Sequence, residues 1–249
     1  MPVSASLLAA SAGLRVASLD LCADEYLLLL ARPHEIASVS RVAHDPADSV
    51  LWRKAQRFPA NRRELEGVIA NRPTLLLSTS GGGRATSLIG GQLGIRSITL
   101  GYPASIAEVE QRMVRVATAL GDVRRATGWR KRLARLRANS LPLRDTIFLG
   151  GGGNSLGANS LGAQWMALAG FHQRGLPGER ASLETLAVSE PKVLLRSTYR
   201  RSQPSLGQRW LNHPLARRSK ARTIDTDGRP WTCAGPLMLF EIERLRGLR

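Results

Sequence analysis

A short pattern that occurs twice constrains the fold of this chain more than any other feature of its sequence. Residues 65–77 align without a gap with residues 183–195. Each copy begins with Leu-Glu in a helical pattern, is interrupted by a proline, and ends in a buried apolar strand. Because the first leucine lies on the core face of each helix, the glutamate that follows is rotated by about 100° away from the core. The repeat therefore predicts two similar lobes, which present Glu66 and Glu184 to solvent.

Predicted strands and helices alternate along both halves of the chain. Short β-branched or leucine-rich runs predict strands at residues 15–19, 36–40, 74–78, 97–100, 146–149 and 193–196, with a short one near Thr223. Helical patterns are found at residues 23–31, 61–71, 85–93, 161–170, 182–188 and 236–245. This alternation is typical of mostly parallel sheets covered by helices. The predicted fold class is therefore α/β, with two lobes of mostly parallel sheet.

The central part of the chain, residues 105–139, contains no proline and predicts helices that link the lobes. Apolar residues recur there at helical spacing and break at Gly121, which predicts two helices, the second of them long and very basic. We expect an N-terminal lobe at residues 15–104, linking helices at 105–142 and a C-terminal lobe at 143–249. Two lobes joined by a stiff helix leave a cleft, which is a preferred place for a ligand.

The chain is strongly basic, with 36 Lys and Arg against 19 Asp and Glu and a formal net charge of +17. Only four of the 36 basic residues are lysines, so the other 32 are arginines. A hydrophobic content of 43% excludes general disorder. Residues 191–224 carry nine basic and no acidic residues, interleaved with Tyr199 and Trp210, as in many nucleic-acid-binding surfaces. No recognition helix or RNA-binding motif accompanies them, so a nucleic-acid-binding basic protein is the alternative interpretation.

The motifs of common enzymes and nucleotide-binding proteins are absent from the sequence. Glycine clusters at residues 81–83 and 150–153 follow predicted strands, but neither completes G-x-G-x-x-G, and no G-K-[ST] occurs. The chain also lacks G-x-S-x-G, H-E-x-x-H and any His/Cys cluster. We therefore expect a non-catalytic protein with no cofactor and no metal-ligating residues. An α/β enzyme is the least favoured alternative.

Two further features leave alternatives open. Cys22 and Cys233 exclude a disulfide-dense scaffold, and they either form one bridge or remain free thiols. Residues 1–14 are mostly apolar and small and contain an A-x-A site at residues 10–12. They are either the tail of an export signal whose beginning is missing, or a frayed cytoplasmic terminus.

Two tryptophans are predicted to lie in loops near strand ends. Trp52 follows a predicted turn at Asp45 and Pro46, and Trp231 lies in a segment rich in Gly and Pro. Large aromatic side chains at such positions either form the walls of a ligand pocket or pack a loop onto its own lobe. Both interpretations stay open for each tryptophan.

Taken in order, these elements resemble the substrate-binding proteins of ABC importers for vitamin B12 and ferric siderophores, the class III or helical-backbone metal-receptor family. The resemblance is carried by residues 15–25, the Leu-Glu…Pro unit of each half, the long central helix, the glycine-rich turn followed by Ala169 and Gly170, and the segment from Trp231 to Gly235 and Pro236. It extends from about Arg15 to the end of the chain. It implies two α/β lobes joined by one long helix, export to the periplasm, and delivery of a metal chelate to an ABC permease and its ATPase. We expect a monomer, and no nucleic-acid partner.

The resemblance also assigns roles to particular residues. In this family one exposed glutamate on each lobe docks into arginine pockets of the permease, and Glu66 and Glu184 occupy the matching positions. The ligand is then a ferric siderophore or a cobalamin or other corrinoid. Arginines at strand ends suit an anionic siderophore, and tryptophans suit a corrinoid. The candidates for ligand contact are Trp52, Arg84, Tyr102, Asn154, Arg196, Tyr199, Arg200 and Trp231.

Overall fold

In a computed structural model the chain forms two β-sheets, each covered by helices. The structure describes residues 13–79, 84–188, 191–214 and 220–248. One sheet has five strands and the other has four, and every strand pairing within them is parallel. The connections between parallel strands carry the helices that cover the sheets.

The first lobe contains the five-stranded sheet. Its strands are β1 (Val16–Ser18), β2 (Ile36–Ser40), β3 (Ala60–Asn61), β4 (Leu75–Ser78) and β5 (Arg96–Thr99). Its helices are α1 (Leu21–Leu30), α2 (Trp52–Ala55), α3 (Leu65–Ile69) and α4 (Arg84–Gln92). The spatial order is β3-β2-β1-β4-β5. Leu75, Leu76 and Leu77 of β4 are all buried, because both faces of a central parallel strand are covered.

Two helices, α5 (Ile106–Ala119) and α6 (Thr127–Ala138), connect the sheets. Gly121, at a φ of +82°, adopts the left-handed conformation that ends the first of them. The second helix contacts both lobes. Arg125, just before α6, donates two hydrogen bonds to Glu35 of the first lobe, at 2.5 and 2.8 Å. Arg132 pairs with Glu243 of the second lobe.

The second lobe contains the four-stranded sheet. Its strands are β6 (Arg144–Leu149), β7 (Phe171–Gln173), β8 (Val193–Ser197) and β9 (Arg222–Thr226), in the order β7-β6-β8-β9. Its helices are α7 (Leu161–Leu168), α8 (Leu183–Val188), α9 (Leu206–Leu211), α10 (Arg229–Cys233) and α11 (Met238–Gly247). Across the part of the chain that the structure describes, no helix combines the length and the apolar character needed to cross a membrane.

The predicted α/β class with two mostly parallel sheets is confirmed. Predicted strand bounds agree with the observed ones within two residues. The short strands β3 and β7 were not predicted, because two or three residues are too few to show a periodicity. The resemblance implies one long linking helix, whereas the periodicity predicts two, and the structure has two.

The prediction that Trp52 and Trp231 lie in loops is wrong. Trp52 is the first residue of α2, and Trp231 lies within α10. These helices have only four and five residues, so they contain too few turns for an amphipathic pattern. Pro230 near the start of α10 is the one local signal for a helix there, since proline fits the first turn of a helix.

A disulfide joins Cys22 and Cys233, which decides between the two alternatives left open by the sequence. Cys22 lies in α1 of the first lobe, and Cys233 is the last residue of α10 in the second. The bond therefore crosslinks the two lobes directly, and it closes a loop with a sequence separation of 211 residues.

We expect removal of this crosslink by the double substitution Cys22→Ser and Cys233→Ser to lower the free energy of unfolding by about 2 to 5 kcal/mol. The reason is that a bond across so long a loop restricts the unfolded chain strongly. Urea denaturation measures the change. Wild-type protein treated with a reductant provides the control and should match the variant. Equal stability of the variant and the oxidised wild type would contradict a stabilising crosslink.

Candidate functional site

Segments that follow the ends of several strands meet where the two lobes face each other. Parallel strands of one sheet end at the same edge. Residues that follow β2 of the first sheet and β8 of the second meet across the boundary between the lobes. Here Asp48 of the first lobe contacts Tyr199 and Arg200 of the second. The Tyr199 hydroxyl donates to one oxygen of the Asp48 carboxylate at 2.7 Å. Arg200 donates to both oxygens, from Nε at 2.9 Å and Nη2 at 2.8 Å. We call these three residues the latch.

A second arginine holds the segment that carries Asp48. Arg229 Nη1 donates to the backbone carbonyls of Pro46 at 2.9 Å and Ser49 at 3.3 Å. Its Nη2 donates to Asp227 at 2.7 Å, which orients the guanidinium from within its own lobe. The first lobe is thus held on both sides of Asp48 by backbone contacts as well as by the latch.

The carboxylate of the latch is largely removed from solvent, whereas the Arg200 side chain is partly exposed. Asp48 is only 8% exposed. The Arg200 guanidinium holds the pKa of Asp48 below its ordinary value, and burial together with the nearby Asp48 raises the pKa of Tyr199. Near neutral pH the carboxylate is therefore ionised and the phenol is protonated. A two-pronged arginine–carboxylate contact with a further hydroxyl donor is stronger than hydrogen bonds between neutral groups.

Two cavities adjoin the latch, and Arg200 lines both. The first, which we call the cleft cavity, has a volume of about 500 Å³ and is lined by Phe148, Asn154, Tyr199 and Trp231, among others. The second, which we call the side cavity, has a volume of about 840 Å³ and is lined by residues of both lobes. Volumes of this size are typical of small-molecule sites. Arg200 of the latch therefore borders two spaces that could each hold part of a ligand.

The cleft cavity has an aromatic wall. The rings of Phe148 and Trp231 have centroids 4.9 Å apart and are tilted by 46°. The Trp231 indole N–H donates to Thr226 Oγ1 at 2.8 Å, which fixes the ring. Gly228 is required beside this wall, because a Cβ there would lie 2.2 Å from Ser197 Oγ. An aromatic wall of this kind suits a flat or bulky apolar group.

Solved structures match this chain over nearly its whole length, although no protein-family model and no curated protein matches it. The periplasmic heme-binding protein HutB of Vibrio cholerae has a TM-score of 0.70 at 17% identity, covering 94% of this chain and 98% of that one. A periplasmic heme-binding protein from Pseudomonas aeruginosa has a TM-score of 0.67 at 20% identity, covering 94% and 91%. The periplasmic vitamin B12-binding protein BtuF of Vibrio cholerae has a TM-score of 0.62 at 17% identity, covering 94% and 95%. The chain has the two-lobe fold of periplasmic substrate-binding proteins. The resemblance seen in the sequence is confirmed for the fold.

Within this substrate-binding-protein fold, four of the eight predicted ligand residues come together. Asn154, Tyr199, Arg200 and Trp231 all line the cleft cavity. Each of them follows the end of a strand in the second lobe, which is why reasoning from strand ends could find them. They remain predictions as ligand contacts.

Of the other four candidates, three line neither cavity, and the side chain of the fourth is outside the described part of the structure. Arg196 pairs with Asp225, its neighbour in the β8–β9 register, at 2.8 and 3.2 Å. Trp52 packs under the guanidinium of Arg53 at 4.8 Å, and Tyr102 is 66% exposed. Neither Trp52 nor Tyr102 is among the residues lining the two cavities. The side chain of Arg84 lies outside the described residues.

Glu66 and Glu184 are both exposed, as the repeat predicts. Each is the second residue of its helix, α3 or α8, while Val68 and Leu186 of the same helices are buried. Hydrogen bonds at the start of α8, from its own backbone and from Ser182, lower the pKa of Glu184. Each lobe therefore presents one exposed carboxylate at an equivalent place.

Two buried aspartates of the first lobe, Asp20 and Asp24, were not predicted as a group from the sequence. Asp20 caps α1 and accepts hydrogen bonds from Thr79 N and Oγ1, both at 2.7 Å. Asp24 accepts hydrogen bonds from the Ser18 hydroxyl and from Ser40 N and Oγ, the last two at 3.0 and 2.5 Å. These bonds tie together the ends of β1, β2 and β4. The spacing of four residues between two aspartates directly after a strand is the signal that could have revealed them.

Burial dominates the ionisation of this acidic group. It raises the pKa of Asp24 from 3.8 to about 7, and it raises the pKa of Glu25 well above its ordinary value. Glu25 faces the second lobe, where Gly235 leaves room for it, since a Cβ there would lie 2.8 Å from Glu25 Oε2. Among the described residues, no three His, Cys, Asp or Glu side chains are grouped so as to hold a metal ion.

We expect the free energy of unfolding to fall as the pH rises from about 4 to 7. In that range the folded state binds the Asp24 proton and the unfolded state, with a pKa of 3.8, does not. In Asp24→Asn the free energy of unfolding should fall less steeply with pH than in the wild type, by up to about 1.4 kcal/mol per pH unit. Urea denaturation at several pH values measures the change. Glu25 keeps a raised pKa in the variant, because burial is the main cause of its shift and the Asp24 charge is a smaller one.

Asp45→Asn, a change at an exposed aspartate of the first lobe, is the matched control and should keep the wild-type slope. A full wild-type slope in Asp24→Asn would contradict the assignment of the titration to Asp24.

Proposed function

We propose that this chain is a non-catalytic substrate-binding protein of an ABC importer, which binds a metal chelate between its lobes and delivers it to a membrane permease. One observation carries the proposal. Asn154, Tyr199, Arg200 and Trp231 converge on a cavity of the second lobe, next to the contact of Tyr199 and Arg200 with Asp48 of the first lobe. The fold that holds this cavity is shared over 94% of the chain with periplasmic heme- and vitamin B12-binding proteins. No catalytic group is needed for such a role.

The composition of the cavity favours a chelate with a flat or bulky organic ring and acidic groups. The tilted pair of Phe148 and Trp231 supports contact with a ring. Arg200 supports contact with an anionic group through a planar fork of donors. Ferric siderophores and corrinoids are the candidates from the sequence, and the heme-binding relatives add heme to them.

The proposed location is the periplasm. The relatives named above are periplasmic proteins, and the disulfide between Cys22 and Cys233 is the kind of bond that persists in an oxidising compartment. The proposed export signal at residues 1–14 falls mostly outside the described residues.

The alternative of a nucleic-acid-binding protein is less well supported, because arginines in its basic segment already have acidic partners. Arg196 and Arg201 pair with Asp225, and Arg200 pairs with Asp48. Guanidinium groups held in this way are less available to phosphates than free ones.

Calorimetric titration with ferric heme, cyanocobalamin and a panel of ferric siderophores should give a submicromolar Kd for at least one of them. Trp231→Ala should weaken that binding at least about tenfold, because it removes part of the aromatic wall. Trp52→Ala is the matched comparison, since the same change is made outside both cavities. No binding to any chelate, together with tight and salt-sensitive DNA binding, would favour the alternative.

We further propose that Glu66 and Glu184 dock into the permease. Glu66→Arg combined with Glu184→Arg should leave chelate affinity unchanged and abolish uptake in cells that carry the cognate permease, because both contacts then repel arginine pockets. The matched control is Glu64→Arg with Glu179→Arg, which changes the same number of charges at exposed positions nearby. Reduced chelate affinity in the first variant would instead assign these glutamates to the ligand site.

A further inference from the structure

The three donors of the latch form a complete receptor for a carboxylate. Tyr199 Oη and two guanidinium nitrogens of Arg200 surround the Asp48 carboxylate at 2.7 to 2.9 Å. This two-pronged geometry is the one in which arginine binds carboxylates most strongly. The same three donors could bind a carboxylate of another molecule in the same geometry.

The receptor belongs to the second lobe, and its occupant belongs to the first. Asp48 is presented by a turn in which Asp48 N and Ser49 N donate to the Asp45 carbonyl at 3.1 and 2.9 Å. The Asp48 side chain is 9% exposed, whereas that of Arg200 is 42% exposed. The arginine is therefore open to both adjoining cavities while it holds the aspartate.

The backbone of the receptor adopts an unfavourable conformation. Arg200 has a φ of +50°, in the left-handed region that costs a non-glycine residue roughly 1 to 2 kcal/mol. Such strain is retained mainly where the position of a side chain matters. A purely structural pair looks different, as Arg196 and Asp225 show, because they are direct neighbours on adjacent strands of one sheet.

We infer that Asp48 is an internal competitor, which occupies the carboxylate receptor formed by Tyr199 and Arg200 until a carboxylate of the ligand replaces it. This inference rests on the proposed function and narrows the ligand to chelates that carry carboxylates. Exchange of one carboxylate for another keeps the three donors satisfied, so neither the guanidinium nor the phenol is left without an acceptor. The displaced Asp48 carboxylate must then be hydrated, which requires the turn that carries it to move away from the second lobe.

Asp48→Asn tests the inference, because it keeps the shape of the side chain and removes its charge. The probes are ferric heme, which has two carboxylates, and hemin dimethyl ester, which has none. We expect the variant to bind heme at least about tenfold more tightly than the wild type and the ester with unchanged affinity.

Two further variants control for this result. Arg200→Gln added to Asp48→Asn should abolish the gain in heme affinity. Asp145→Asn, which releases Arg174 from an ion pair outside both cavities, is the matched control and should show no gain.

A third probe separates this inference from the proposed function. Citrate should bind Asp48→Asn measurably in calorimetry, and more weakly both to the wild type and to the double variant with Arg200→Gln. If no protein binds either porphyrin but citrate behaves in this way, the inference stands and heme is excluded as the chelate. An equal gain for heme and its ester overturns the inference, and so does the absence of a gain for both heme and citrate, even where chelates bind. Asp48→Ala carries the same expectations if Asp48→Asn does not fold.

Discussion

The contact between the two lobes is the constraint on which the rest of this structure depends. The disulfide between Cys22 and Cys233 holds their Cα atoms 5.4 Å apart, so the lobes cannot separate at that point. The segment that leads into helix α6 and the helix itself hold them a second time, through Arg125 just before the helix and Arg132 within it. Any opening of the cleft must therefore be a rotation about these attachments, and it would have to break noncovalent contacts elsewhere along the boundary, such as the latch. A cleft bounded in this way suits a ligand that is bound by small movements.

The excess of arginine has a structural use that the net charge conceals. Two acidic groups of the described residues each bind two arginines: Glu110 pairs with Arg130 and Arg137, and Asp225 pairs with Arg196 and Arg201. Other arginines donate to backbone carbonyls, as Arg112 does to Leu100 at 2.7 Å and Arg115 to Thr99 at 3.0 Å. Arg112 uses the fork of donors that lysine lacks, since its Nη2 also donates to the Tyr102 carbonyl at 3.0 Å. The charge of +17 thus partly reflects donors that satisfy carbonyls at the ends of strands.

The fold could be predicted from the sequence because the patterns that indicate helices and strands are local. The site could be predicted only in part, because its contacts join residues that are far apart in the chain. Buried strands such as β4 read directly as apolar runs, and the repeat revealed two lobes. The role of Asp48 depends on a partner 151 residues away, and the disulfide on one 211 residues away. Arg196 and Arg200 looked alike in the sequence, since one lies near the end of β8 and the other shortly after it. Only the register of β8 with β9, which places Asp225 beside Arg196, separates a structural arginine from a candidate ligand residue.

The two lobes resemble each other in topology, yet they differ in the polar groups that they offer to a ligand. In the first lobe, Asp20 and Asp24 at the strand ends are already bonded to Thr79, Ser18 and Ser40. A ligand would have to break these buried hydrogen bonds, and each one lost costs about 1 to 3 kcal/mol. In the second lobe, the aromatic wall and the Tyr199–Arg200 receptor face open cavities. Polar recognition of the ligand is therefore concentrated in the second lobe, and the first acts mainly through Asp48, which competes for that recognition.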